Sequence, residues 1–138
     1  MSRLTPQEAI DIALGAATDD CAVIVRDSSR ADLRWARSTL TTNGESRGLD
    51  ITVIAFSTRS AGTGTASIGR ALTDRQSLLE VVTSAQAAAA DAEPADDAYP
   101  LVEGDGAPDD WADPAEPTSG AVFARTAEAL GVALRTSD

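Results

Sequence analysis

The chain has no histidine and no lysine, a single cysteine, and aromatic side chains at only 4% of its 138 positions. Without imidazole, neither a Ser-His-Asp triad nor a histidine-bearing zinc helix can be assembled. One cysteine, Cys21, excludes an internal disulfide and a thiolate zinc site, and it fits a reducing cytoplasm. It reads as a buried strand residue rather than a nucleophile, because no histidine is present to serve as its base. With so few aromatics, Ala, Val, Leu and Ile must build the core. No apolar run approaches the roughly 18 residues of a membrane span. All basic residues are arginine, which with the alanine excess fits a GC-rich bacterial coding sequence.

The charge that is present is lopsided. Eleven basic residues face 22 acidic ones, a formal net charge of −11. That field repels nucleic-acid phosphates and anionic membranes, so neither is an expected partner. The acid is concentrated: residues 91–118 hold ten acidic residues, no basic residue and five of the six prolines. Such a stretch cannot offset its ordering entropy by its own burial, and reads as a solvated loop. Within it, Tyr99-Pro100-Leu101-Val102 and Trp111 are the two places where the loop can dock or anchor.

The remaining sequence reads as one α/β domain. Thr5-Pro6-Gln7-Glu8 carries a capping box with proline at the first helical position, followed by Ile10, Ala13, Leu14 and Ala17 on one face. This predicts a helix over 6–17. Cys21 to Arg26 alternates as a strand, and Asp27-Ser28-Ser29-Arg30 reads as a turn. Leu33 and Trp35 alternate again, and Thr39 to Thr42 extends that strand to the turn dipeptide Asn43-Gly44. Leu49 to Ser57 is the strongest strand, Ser60 to Gly64 a small-residue turn, and Thr65 to Arg70 a short returning strand. Thr73, with Gln76 three residues on, caps a helix over 74–91 with Leu78, Leu79, Val82, Ala85 and Ala89 inward. A last helix follows a Thr118 or Ser119 cap, with Phe123, Ala127, Leu130 and Leu134 on one face. The expected fold is a two-layer α/β (α+β) sandwich: a mostly antiparallel sheet of four to five strands with the helices on one face. Val23, Val25, Leu33, Ile51, Val53, Leu78 and Val82 are its expected shared core. The expected organisation is a domain core over 1–92, the acidic loop over 93–118, and a returning helix over 119–138, cut before a further carboxy-terminal domain. The amino terminus, with Glu8 and Asp11 among its apolar residues, does not read as a secretory signal.

Chemistry-bearing constellations are weak. The carboxylate pairs Asp19-Asp20, Asp96-Asp97 and Asp109-Asp110 fall in turns or the loop, where solvated pairs outnumber acid–base couples. The loop lacks the order of an EF-hand. Gly62-x-Gly64 has no Gly-Lys-Ser/Thr continuation and reads as a turn, and Arg30, Arg34 and Arg37 read as a solvated strand face. No catalytic, cofactor-binding or metal residue is assigned.

Order and wording together carry more. WARSTLTTNGESRGLDITVIA places Arg37, Leu40, Thr41 and Asn43, then Gly48, Ile51 and Val53, in a strand–turn–strand phrase. GTASIGRALTDRQSLLEVVTSAQAAA follows, with Gly64, Ala66, Ser67 and Leu72-Thr73 leading into the long helix. These phrases resemble the amino-terminal domain of the TldD/PmbA family, first described as modulators of DNA gyrase and belonging to a two-subunit zinc metallopeptidase. The wording is closer to the TldE/PmbA branch, whose subunit has lost the metal site. The resemblance implies a non-catalytic domain that helps assemble a proteolytic hydrolase and admits unfolded peptide in the bacterial cytoplasm. It places zinc only in the carboxy-terminal domain of a TldD-like partner subunit, with no cofactor in this chain. Two readings stand beside it: a free-standing interaction module acting through its sheet edge or acidic loop, and a carboxylate-only hydrolase, against which the scarcity of aromatic sugar platforms counts.

Overall fold

The computed structural model describes residues 3–36, 39–116 and 118–135. In chain order it contains α1 (Pro6–Ala16), β1 (Cys21–Ala36), β2 (Thr39–Arg59), β3 (Gly62–Ala71), α2 (Arg75–Asp91), a 3₁₀ turn (Gly120–Phe123) and α3 (Ala124–Arg135). The strands form one antiparallel sheet in the order β1-β2-β3. The chain divides into two compact units. One comprises Met1–Asp27 with Gly48–Asp113, the other Ser28–Arg47 with Pro114–Asp138.

The sheet has three strands rather than four or five. Asp27-Ser28-Ser29-Arg30 lies inside β1, and Asn43-Gly44 lies inside β2. Both are local turn signals without a turn. β1 and β2 are hydrogen-bonded neighbours in one sheet, and pairing with a neighbouring strand outweighs a local turn preference.

In the first unit, α1 starts as its capping box dictates. Glu8 N donates to Thr5 Oγ1 (3.2 Å), and Thr5 N donates to Glu8 Oε2 (2.9 Å). The buried face of α1 is rotated from the expected one: Ala9 and Ala13 are fully buried, whereas Leu14 is 49% exposed. Two methyl groups one turn apart let α1 settle closely onto α2, and Leu14 is the bulk that this contact excludes. The α2 cap is one residue later than expected. Ser77 N donates to Asp74 Oδ1 at 2.7 Å, so Asp74 rather than Thr73 caps, and Ser77 rather than Gln76 completes the box. A carboxylate accepting that N–H also complements the helix dipole, which a threonine hydroxyl does not.

Both helices lie on one face of the sheet. Ile51, Val53 and Ala55 of β2 pack with Ala9 and Ala13 of α1 and with Leu78, Val81, Val82, Ala85 and Ala89 of α2. Each large side chain here contributes roughly 1.5–3 kcal/mol of burial. Val23 and Val25 flank this cluster half-buried, and Cys21, expected to be buried, is likewise half-buried on the core side of β1. Leu33 is half-buried but belongs to the second unit, so it takes no part in the cluster. Its strand position lies beyond the point where β1 leaves the first unit.

In the second unit, Thr118 N donates to Ser29 Oγ (2.9 Å) and Gly120 N to Glu45 Oε1 (2.6 Å). These bonds tie the approach to the last helix onto the strand segments of the same unit. Ser119 caps the 3₁₀ turn that runs into α3. Leu130, expected on the inner face, is 51% exposed. The side chain of Leu134 lies outside the described residues.

Candidate functional site

β2 and β3 pair from Asp50↔Ala71 to Arg59↔Gly62 across a two-residue turn. Leu72 N donates to Leu49 O at 2.7 Å, which sets the phase of the ladder. In an antiparallel pair, alternate residues exchange bonds. Arg70, Ile68, Ala66, Gly64 and Gly62 therefore face β2 with their main-chain groups, whereas Thr63, Thr65, Ser67, Gly69 and Ala71 turn theirs outward. The outward position of Thr63 is visible directly, since its carbonyl accepts from Ala95 N at 2.9 Å. Among the described residues, no loop or turn bond reaches the outward groups of Thr65, Ser67 or Gly69, and all three are exposed. β3 thus presents an open edge closed at one end by the chain's own Ala95.

Two glycines hold that end together. Gly62 sits at φ +122°, where a Cβ would also meet Pro94 Cβ at 2.8 Å. Gly64 lies against the last turn of α2, where a Cβ would meet Ala89 O at 2.3 Å. Gly62-x-Gly64 is therefore a close-approach device at the start of β3 rather than a turn, the turn itself being the two residues Ser60 and Ala61. Arg59 donates to the carbonyl oxygens of Ala90 and Ala92, neutralising the negative end of α2.

Beside the capped end, on the face of β2 opposite α1 and α2, is a cleft of about 280 Å³ lined by Asp20, Phe56, Thr58, Thr63 and Ala98 to Leu101. Thr58 and Thr63 are opposite one another, their hydroxyls hydrogen-bonded at 3.0 Å. Phe56 N donates to the main-chain oxygen of Asp20 at 2.9 Å, which holds the exposed Asp20 at the rim of the cleft. The loop segment expected to dock forms the far wall, yet Tyr99 stays 87% exposed and Val102 95%. Trp111 anchors the loop through its main chain, since Gln7 Nε2 donates to Trp111 O at 2.7 Å.

The remaining sequence candidates do not converge. Burial, and after it the negative charge of Asp20, push the Cys21 thiol above its ordinary value, away from thiolate reactivity. Asp19 belongs to the α1–β1 turn, which is held by Gln86. With its amide oriented by its surroundings, the Gln86 oxygen accepts from Thr18 N (2.7 Å) and Asp19 N (3.0 Å). Asp96-Asp97 and Asp109-Asp110 are exposed. Arg30 is paired with Asp32 at 2.8 Å, a hydrogen bond and charge that hold its proton more firmly. Arg34 is exposed, and Arg37 lies outside the described residues. Among the described residues, no group of three or more His, Cys, Asp or Glu is placed to hold a metal ion, and no helix is long and apolar enough to cross a membrane.

Residue-level reading of the sequence passed over Arg59 and the cleft. The available signal was Phe56, an aromatic on the phase of β2 opposite Ile51, Val53 and Ala55. Compared with protein-family models, curated proteins and solved structures, the chain finds no match.

Proposed function

We propose that this chain is the amino-terminal, non-catalytic domain of a TldD/PmbA-like metallopeptidase subunit of the TldE/PmbA branch, working in the cytoplasm with a zinc-bearing TldD-like partner. In this reading it admits unfolded peptide by adding it as a strand to the outer edge of β3. The observation that carries the reading is the row of outward main-chain groups at Thr65, Ser67, Gly69 and Ala71. An extended peptide satisfies such a row through main-chain bonds, which is how one edge serves many sequences. The long α2 that follows β3 is the part of the resemblance's element order that supports the reading.

Ser67→Pro tests the reading. The Ser67 N–H points away from β2, so proline there removes no bond of the sheet but deletes a donor from the edge. Binding of a fluorescent unfolded peptide should fall at least about tenfold, with the circular dichroism spectrum unchanged. Binding that ignores Ser67→Pro but collapses between low and high salt would instead support the second reading, an interaction module acting through the acidic loop that Gln7 anchors at Trp111. No binding under either condition would refute both.

A further inference from the structure

We propose that the cleft at the Thr63 end of β3 is a receptor for one basic side chain, lysine or arginine, of an incoming peptide. For where the rest of the peptide runs, the proposal rests on the strand-addition reading. The pocket itself is argued and tested separately.

Size comes first. About 280 Å³ lies just below the roughly 300–1,000 Å³ of small-molecule sites, and suits a single side chain. The lining is divided in the way a long cationic side chain requires. Phe56, Pro100 and Leu101 offer apolar surface to an aliphatic stem, and Phe56 and Tyr99 bring aromatic rings to the cleft, the side-chain type that attracts a cation. Asp20 supplies the counter-charge, and the Thr58 and Thr63 hydroxyls supply acceptors. Tyr99, at 87% exposed, is a wall that gains burial only when the cleft is filled.

The field decides the sign of the occupant. The unit that contains the cleft, Met1–Asp27 with Gly48–Asp113, carries seventeen acidic and five basic residues. Asp96 and Asp97 immediately precede the Ala98 wall. Arg59, next in sequence to Thr58, is committed to the carbonyl oxygens of Ala90 and Ala92. Arg3 is committed to Asp27 at 2.8 Å. Among the described residues, no cation is paired with Asp20. An anion is repelled from this cleft, and a cation gains a charge pair with the exposed Asp20 that a neutral apolar side chain cannot make. A cation also sits at the correct end of the edge, since Thr63 both lines the cleft and is the outward residue at which Ala95 closes β3.

The test is a nuclear magnetic resonance titration of the full chain with Nα-acetyl-lysine N-methylamide and its norleucine and glutamate counterparts. The lysine probe should shift the amides of Thr58, Thr63, Ala98 and Leu101 at millimolar concentration. Norleucine should bind about five- to tenfold more weakly, and glutamate not at all. Asp20→Asn should erase the lysine preference while leaving norleucine binding unchanged. Tyr99→Ala, in an exposed loop position that the fold does not need, should weaken the lysine probe severalfold. Equal binding of lysine and norleucine, or a preference that survives Asp20→Asn, would overturn the pocket. The strand-addition reading fails separately: a lysine-bearing extended peptide would then bind no better than the capped amino acid, with the pocket intact. An extended peptide that is lost in Ser67→Pro but indifferent to lysine would overturn the pocket and leave the edge standing.

Discussion

Replacing Gly64 with alanine probes the contact between β3 and the end of α2. The added methyl would lie 2.3 Å from Ala89 O and 3.0 Å from both Ala92 O and an Arg59 guanidinium nitrogen. Two of these three obstacles are main-chain carbonyls, so rotating a side chain gives no relief, and either β3 or the last turn of α2 must move. Overpacking of this kind costs about 1–3 kcal/mol, and fixed backbone on both sides puts Gly64→Ala in the upper half of that range. Restricting the unfolded chain returns about 0.4–1 kcal/mol. The net loss of about 1–2.5 kcal/mol corresponds to a Tm lower by roughly 5–12 °C for a chain of this size. Gly15→Ala is the internal control. Nothing lies within 4 Å of a Cβ at Gly15, which is helical, so alanine there should raise stability by about 0.5–1 kcal/mol. Differential scanning calorimetry of the two variants reads both signs at once. A Gly64→Ala protein melting at or above the parent would refute the view that Gly62-x-Gly64 exists for close packing.

Leu78 is fully buried among Ile51, Val53 and Val82, so Leu78→Ala should cost about 2–4 kcal/mol, read as a lower midpoint in urea. An unchanged midpoint would refute the placement of α2. Both capping carboxylates, Glu8 held by the Thr5 main chain and side chain and Asp74 held by Ser77, are depressed below the ordinary range. Their folded values lie below their unfolded ones. Their contribution is therefore present above the unfolded values and lost as pH falls through the folded ones. Thermal stability should drop below about pH 4, and Glu8→Gln with Asp74→Asn should flatten that acid limb. An acid limb that the double variant leaves unchanged would remove the caps from the account.

Much of the first unit was legible because its signals are short-range and concordant. Thr5, Pro6 and Glu8 specify a helix start with no help from elsewhere, and the alternation of Ile51, Val53 and Ala55 marks an inner face directly. The strand count was not legible. Asn43-Gly44 carries the same local preference whether it turns or runs on, and the ladder with a neighbouring strand decides. The rotation of α1 was hidden for a related reason. Hydrophobicity ranks Leu14 above Ala9, but the contact with α2 selects by size. The cleft was hidden most deeply, since Asp20, Phe56, Thr63 and Tyr99 come from four separate stretches and meet only through the hydrogen bonds of Asp20 and Ala95.

The open edge of β3 also bears on colloidal behaviour. A bare strand edge is a template on which a second copy can extend the sheet, and from there a third. Pro94 and Ala95 blunt only the Thr63 end, and from Thr65 to Ala71 the ladder runs without proline or bulge, with Arg70 its one charged residue. The charge of −11 on each copy opposes such growth at neutral pH. That ionic opposition fades near the isoelectric point of about 4.2, so edge-to-edge growth should be easiest there, where the same edges meet without net repulsion.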